Sequence, residues 1–138
     1  MTILGSVMEL RGYRAAVLGS TSGIGRAVAL ALAGAGADVI VHGRASPAKA
    51  EAVATEVREN GVRAAVLMAD LADRAAGDRL VDDAWSLWGG LDAWLHIAGA
   101  DTLTGAAATL PFDAKLDLLW SVDVTATIRL CRDRKSVV

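Results

Sequence analysis

Short, nearly continuous apolar runs alternate along the chain with longer segments in which apolar residues recur at helical spacing. The short runs are Arg14–Leu18 (RAAVL), Asp38–His42 (DVIVH), Arg63–Ala69 (RAAVLMA) and Leu91–Ala98 (LDAWLHIA). Unbroken apolar runs of that length suit strands covered on both faces, as in a parallel sheet, rather than strands with one wet face. The segments between them have legible ends. Gly23–Ala33 is apolar and alanine-rich, and Gly36 follows as its stop. Ser46-Pro47 reads as an N-cap with proline in the first turn, and Asn60-Gly61 ends that second helix. Asp73 is placed to cap a third, with Leu80, Val81, Ala84, Leu87 and Trp88 on its inner face until Gly89-Gly90. A fourth helix is predicted over Phe112–Cys131. The order β-α-β-α-β-α-β-α, with connections this short, calls for right-handed helical crossovers between parallel strands. The expected fold is α/β, a doubly wound sheet in a three-layer sandwich.

A length of 138 residues allows one domain. Apolar residues make up 54% and charged ones 22%, a balance that fits a packed core and excludes a disordered tail. Fourteen basic against sixteen acidic residues leave a net charge of -2 and no basic stripe, which argues against nucleic acid as a partner. The single cysteine, Cys131, excludes an internal disulfide framework and fits a reducing compartment. His42 and His96 lie too far apart for a local zinc motif, and no metal site is expected. No uncharged run approaches the roughly 20 residues of a membrane span, and no signal-peptide pattern opens the chain. A cytoplasmic location is the expectation. Trp85 and Trp88, three apart on one helix face, read as packing, as do Trp94 and Trp120.

Candidate chemistry gathers after the first strand, in Leu18-Gly19-Ser20-Thr21-Ser22-Gly23-Ile24-Gly25. Glycine at a strand-to-helix turn permits a tight bend, lets a phosphate approach the backbone, and allows the helix to pack against the strand. The first helical N–H groups and the positive end of the helix dipole then face a pyrophosphate. No Gly-Lys-Ser/Thr follows, so this is not a P-loop.

The spacing is GxxxGxG, and in this position it resembles the short-chain dehydrogenase/reductase family. The resemblance continues in order at Val41-His42-Gly43-Arg44, where the family chooses its nicotinamide cofactor, and at Asp70-Leu71, beside the adenine ring. Leu91–Gly99 is similar to the family's "LDxLVNNAG" strand, and Ser121–Thr125 to its "xVNxx" helix segment. The resemblance implies a Rossmann-type fold and a cofactor site of Gly19, Ser20, Thr21, Ser22, Gly23, Ile24, Gly25, Arg44, Asp70, Leu71, Ala98 and Gly99. Ala98-Gly99 are the small residues that let the nicotinamide ribose lie against the backbone. Arg44, with Gly43 where an NAD enzyme places a carboxylate, implies NADP in preference to NAD.

The departures carry expectations of their own. Leu18 replaces a threonine, and His96-Ile97 replace the two asparagines that brace the glycine turn, so packing is expected to take over from those hydrogen bonds. His96 reads as a packed, hydrogen-bonded core histidine. Asp123 stands at the position of the asparagine that orders a proton-relay water, a weak catalytic candidate. The family's catalytic Ser and Tyr-x-x-x-Lys have no counterpart here. The one tyrosine, Tyr13, precedes the first strand, and the closing segment Arg129–Val138 departs from the family's apolar exit into a fifth strand. A truncated product, a shifted reading frame or a fragment would each give such a chain, and no turnover is expected from it alone. Its substrate class by resemblance is a carbonyl or alcohol, reached only if the chain is completed; the contrasting reading is a non-catalytic nucleotide-binding or partner-binding module. In the family's sheet order the fourth strand is central, so Trp94–Ile97 on an open edge, with Leu116, Leu119 and Trp120 on the last helix, predict self-association.

Overall fold

The structure, a computed structural model, describes residues 9–132. The closing residues 133–138, whose composition departs from the family pattern, lie outside the described residues. Strands β1 (Arg14–Leu18), β2 (Asp38–Gly43), β3 (Ala64–Met68) and β4 (Ala93–His96) form one parallel sheet in the order β3-β2-β1-β4. Helices α1 (Gly23–Gly34), α2 (Pro47–Arg58) and α3 (Arg74–Leu87) connect them. This is a Rossmann-like α/β fold.

Alternation along the strands divides the core between the two faces. Val17, Val39 and Val41 pack on Ala29 and Ala33 of α1 and on Val53 and Val57 of α2. Ala16, Leu18 and Ile40 face the other way, onto Leu80, Val81 and Ala84 of α3. Ala29 and Ala33 of α1 are fully buried, which lets that helix lie close to the sheet. Coverage on both faces is complete for the central pair β1 and β2, whereas β3 and β4, at the sheet's edges, remain half-buried. The helix starts follow the capping residues: Ser46 Oγ accepts from Lys49 N–H at 3.4 Å, and Asp73 Oδ1 accepts from Ala75 and Ala76 N–H at 2.9 and 3.2 Å. At the opposite edge from the strand C-termini, one device is used twice. Arg63 forks onto Asp38, with Nη2 at 2.7 Å, and Arg14 onto Asp92, with Nε at 3.0 Å, pinning β3 to β2 and β4 to β1.

Three expectations are corrected. The predicted fourth helix is continuous in direction but not in type: α4 (Phe112–Leu119) passes into a π-helical stretch, Trp120–Ala126, and then α5 (Thr127–Cys131). Hydroxyls flank the wide turn, Ser121 donating to Asp117 O at 2.8 Å and Thr127 to Asp123 O at 2.7 Å, and such back-bonding loosens a regular helix. Val122, Ala126 and Leu130, four apart, face inward together along this segment. Leu87, assigned to the inner face of α3, is instead 38% exposed: the helix ends there, and its last buried residue is Ala84. Of the tryptophans, Trp85 and Trp94 stack at 6.0 Å and Trp88 lies under the Arg63 guanidinium, but Trp120 is 61% exposed and packs on no core. Among the described residues, no helix is long and apolar enough to cross a membrane.

Candidate functional site

The C-terminal ends of the parallel strands open into a cleft of about 600 Å³. Parallel sheets place ligands there because strand order reverses between β1 and β4 and leaves a crevice. Its floor is the glycine turn. Gly19 has φ +75°, and a Cβ there would lie 2.5 Å from Ala98 Cα; a Cβ on Gly25 would lie 1.9 Å from Gly19 O. Turn, α1 and the end of β4 therefore meet at hydrogen-atom separations that no side chain fits. Ser22 begins α1 with extended backbone and no side-chain cap, and no acidic residue sits in the first turn. The positive end of α1 thus faces the cleft without a protein carboxylate on it.

Of the residues singled out from the sequence, Gly19, Thr21, Ser22, Gly23, Ile24, Gly25, Arg44, Asp70, Leu71, Ala98 and Gly99 all line this cleft. Ser20 does not. Its side chain is fully buried behind the turn, donating from Oγ to Val17 O at 2.8 Å and accepting there from His42 N–H at 3.0 Å. Arg44 is exposed at the rim, across from the turn. Asp70 accepts from Ala72 N–H at 3.0 Å and so shapes the loop that leaves β3. A second hollow of about 540 Å³ shares the wall of Arg44, Asp70 and Gly99 and extends past Asp101 to Leu118 and Val122. Its lip is built by Asp101, whose Oδ1 accepts from Leu103 and Thr104 N–H, and whose carboxyl is held below the usual range chiefly by the Thr104 hydroxyl.

Asp123 projects from the π-helical stretch and accepts from Ala100 N–H at 2.7 Å, tying that stretch to the segment after β4. It lies outside the set of residues that line either hollow. His96 corrects an expectation: it is packed, but neither ring nitrogen has a hydrogen-bond partner among the described residues. Burial pushes it below the ordinary histidine value, and the Asp123 charge only partly offsets this. The imidazole is therefore neutral at physiological pH.

The polar brace of the glycine turn is present after all, and it comes from β2. His42, 2% exposed, accepts from Gly19 N–H on Nδ1 at 3.0 Å and meets Ala69 O with Nε2 at 3.0 Å. Ser20 N–H donates to His42 O at 3.0 Å. Packing thus replaces the contacts at Leu18 and Ile97, while a histidine one strand away supplies hydrogen bonds. Sequence reading placed His42 in the stretch where the family chooses its cofactor and excluded it from a local zinc motif, but gave its side chain no role in the turn. The available signal was a polar residue closing an otherwise apolar strand immediately before Gly43-Arg44.

Comparison with known proteins matches this architecture. The short chain dehydrogenase family model matches residues 14–134. A 3-oxoacyl-[acyl-carrier-protein] reductase of Aggregatibacter actinomycetemcomitans is 50% identical over 68 residues, 49% of this chain and 28% of that protein. Among solved structures, a short chain dehydrogenase of Burkholderia cenocepacia J2315 in complex with NADP superposes with a TM-score of 0.79 at 36% identity, over 89% of this chain and 49% of that one. A 3-oxoacyl (acyl-carrier-protein) reductase of Agrobacterium tumefaciens C58 with NADP bound gives 0.76 at 32% identity, over 94% and 48%. The chain spans about half the length of these two structures. With the glycine turn, strand order and family match in agreement, the chain belongs to the short-chain dehydrogenase family.

Proposed function

We propose that residues 1–138 form one dinucleotide-binding unit of an oxidoreductase that exchanges hydride between NADP(H) and a carbonyl or alcohol. The observation that carries the reading is the contact of Gly19 with Ala98 beneath the uncapped start of α1. It makes a floor of bare backbone where a pyrophosphate meets N–H groups rather than side chains. Thr21, Ser22, Gly23, Ile24 and Gly25 would hold the pyrophosphate, Asp70 and Leu71 the adenine, and Ala98 and Gly99 the nicotinamide ribose. The bound nicotinamide supplies the hydride acceptor or donor.

Preference for NADP rests on the rim. A Cβ on Gly43 would lie 2.7 Å from Thr21 Cγ2 and 3.2 Å from Met68 Cε, so the position from which a carboxylate would bind a ribose 2′-hydroxyl is filled by its neighbours. The Arg44 guanidinium beside it suits a 2′-phosphate. The NADP bound in the two related structures supports the same reading.

One observation favours a second reading, binding without turnover, for these 138 residues. Tyr13 is the sole tyrosine of the sequence and precedes β1, at the end of the strand away from the cleft. Carbonyl reduction needs a proton donor within hydrogen-bond reach of the oxygen. Asp123 is engaged with Ala100, and His96 is enclosed. Calorimetric titration with NADP⁺ and NAD⁺, followed by absorbance assays with ketones, aldehydes and secondary alcohols, tests both readings. Binding without turnover is expected. Absence of binding to either cofactor refutes the site, and turnover lost in Asp123→Ala or His96→Ala refutes the inactivity.

A further inference from the structure

Gly19 N–H donates to Nδ1 of His42. A nitrogen that accepts carries no proton, so in the neutral ring the proton is on Nε2, where it donates to Ala69 O. The imidazole therefore spans the cleft's foundations, from the glycine turn after β1 to the loop that leaves β3 toward Asp70. The Ser20 bonds to the His42 backbone, N–H to carbonyl and Oγ from N–H, fix the ring's own strand to the same turn. A second proton has one place to go, Nδ1, where it would point at the Gly19 N–H. Two donors would then face each other at a residue that is only 2% exposed.

We propose that His42 is a positioning residue: its neutral Nε2–H form sets the shape of the glycine turn, and protonation of the ring releases Gly19 and dismantles the dinucleotide floor. Its effect on a cofactor rests on the site reading above; its effect on the turn does not. The charged or titratable groups of the cleft around the ring are Arg44 at the end of β2, Asp70 after β3 and Asp101 after β4; outside the cleft lining lies His96 on β4, which responds to Asp123. Among these, His96 is the group whose charge bears on His42, and its influence is of the same sign as burial. Burial and the His96 charge outweigh the Ala69 carbonyl, which favours the second proton, so the floor is intact near neutrality and yields only in acid.

The turn is tested on the 138-residue chain without cofactor. Long-range nitrogen-proton spectra should show His42 protonated on Nε2 and bare on Nδ1 near neutral pH. As the ring titrates, the Gly19 and Ser20 amides should exchange about tenfold faster per pH unit relative to α2 amides, the slope of one coupled proton. An Nδ1–H form, or Gly19 exchange that never departs from that of α2, overturns the proposal. Binding is then read with NADP⁺ and NAD⁺ by calorimetry across the same range. Affinity for both should fall with the ring's titration in the native chain, beyond any change in His42→Asn, which keeps an acceptor for Gly19 but does not titrate. His96→Asn should keep the acid loss, moved toward higher pH because the His96 charge that disfavours the second proton is gone. Identical profiles in native and His42→Asn chains overturn the functional role. If the Asn variant does not fold, His42→Gln serves, and the spectra of the native chain decide the turn independently. Undetectable binding at every pH, with the Gly19 amide still following the ring, defeats the site reading and with it the effect on cofactor.

Discussion

Gly19 touches the backbone of Ala98 so closely that a Cβ on the glycine would lie 2.5 Å from the alanine Cα and 2.7 Å from its nitrogen. The chain is thereby bent into a left-handed conformation at the one point where the end of β4 leaves no space for a side chain. Gly19→Ala is expected to lose about 1–2 kcal/mol from the backbone conformation and about 1–3 kcal/mol more from forced overpacking. Urea unfolding of native and variant chains checks the sum, and an unchanged midpoint would contradict the contact.

Arg44→Ala should weaken NADP⁺ binding about tenfold or more, since a hydrogen bond to a charged group contributes roughly 1.5–3 kcal/mol and about 1.4 kcal/mol is a factor of ten. NAD⁺ affinity should stay nearly constant, because the guanidinium has no 2′-phosphate to meet. Equal affinity for the two cofactors in the native chain would remove the basis of the preference.

Both histidines lie below the ordinary histidine value because burial penalises their charged forms. In the unfolded chain each titrates near about 6.5, so on acidification the unfolded state takes up protons that the folded state refuses. Stability should be complete above that value and decline as pH falls toward the folded-state values. His96→Leu replaces two ring nitrogens, without a hydrogen-bond partner among the described residues, by apolar surface. It should equal or exceed the native stability at pH about 7.5 and show a shallower acid loss. A variant destabilised at neutral pH, in denaturant melts at both ends of the range, would mean that the ring has a partner.

Asp123→Ala removes the acceptor of Ala100 N–H and should cost about 0.5–1.5 kcal/mol. Asp123→Asn retains an oxygen at the same place and should stay within about 0.5 kcal/mol of native. Ala100 amide exchange should accelerate in the alanine variant alone. Equal effects of the two substitutions would show that charge, and not the hydrogen bond, is what the π-helical stretch supplies.

Phe112, Leu116 and Trp120 form an i, i+4, i+8 stripe, 76%, 48% and 61% exposed. Among the described residues β4 pairs only with β1, which leaves its other side open. The 138-residue chain is expected to associate through this apolar stripe and open strand. Light scattering at micromolar concentration should report a mass above that of one chain, falling in Trp120→Asp. A monodisperse single chain would refute the expectation.

The apolar runs and capping residues, read without any coordinates, determine the alternation of strands and helices, the helix starts at Ser46 and Asp73, and the glycine turn. These are local matters: a run covered on both faces needs uninterrupted apolar residues, a helix start needs an acceptor, and a tight turn needs glycine. The resemblance in GxxxGxG and the later segments also picked out residues that line the cleft, Ser20 excepted. Tertiary structure alone decided which polar group braces the turn, because the bond between Gly19 and His42 joins positions 23 apart and depends on the pairing of β1 with β2. It also decided that Ser20 faces inward, that His96 is left without a hydrogen-bond partner among the described residues, and that Trp120 and Leu87 lie on the surface. Residue type and periodicity report that a side chain is apolar or polar; whether it is covered depends on where neighbouring elements stop. The widened turn around Asp123 belongs to the same class, since α5 packs against α3 and β4 while the hydrogen bonding between α4 and α5 changes.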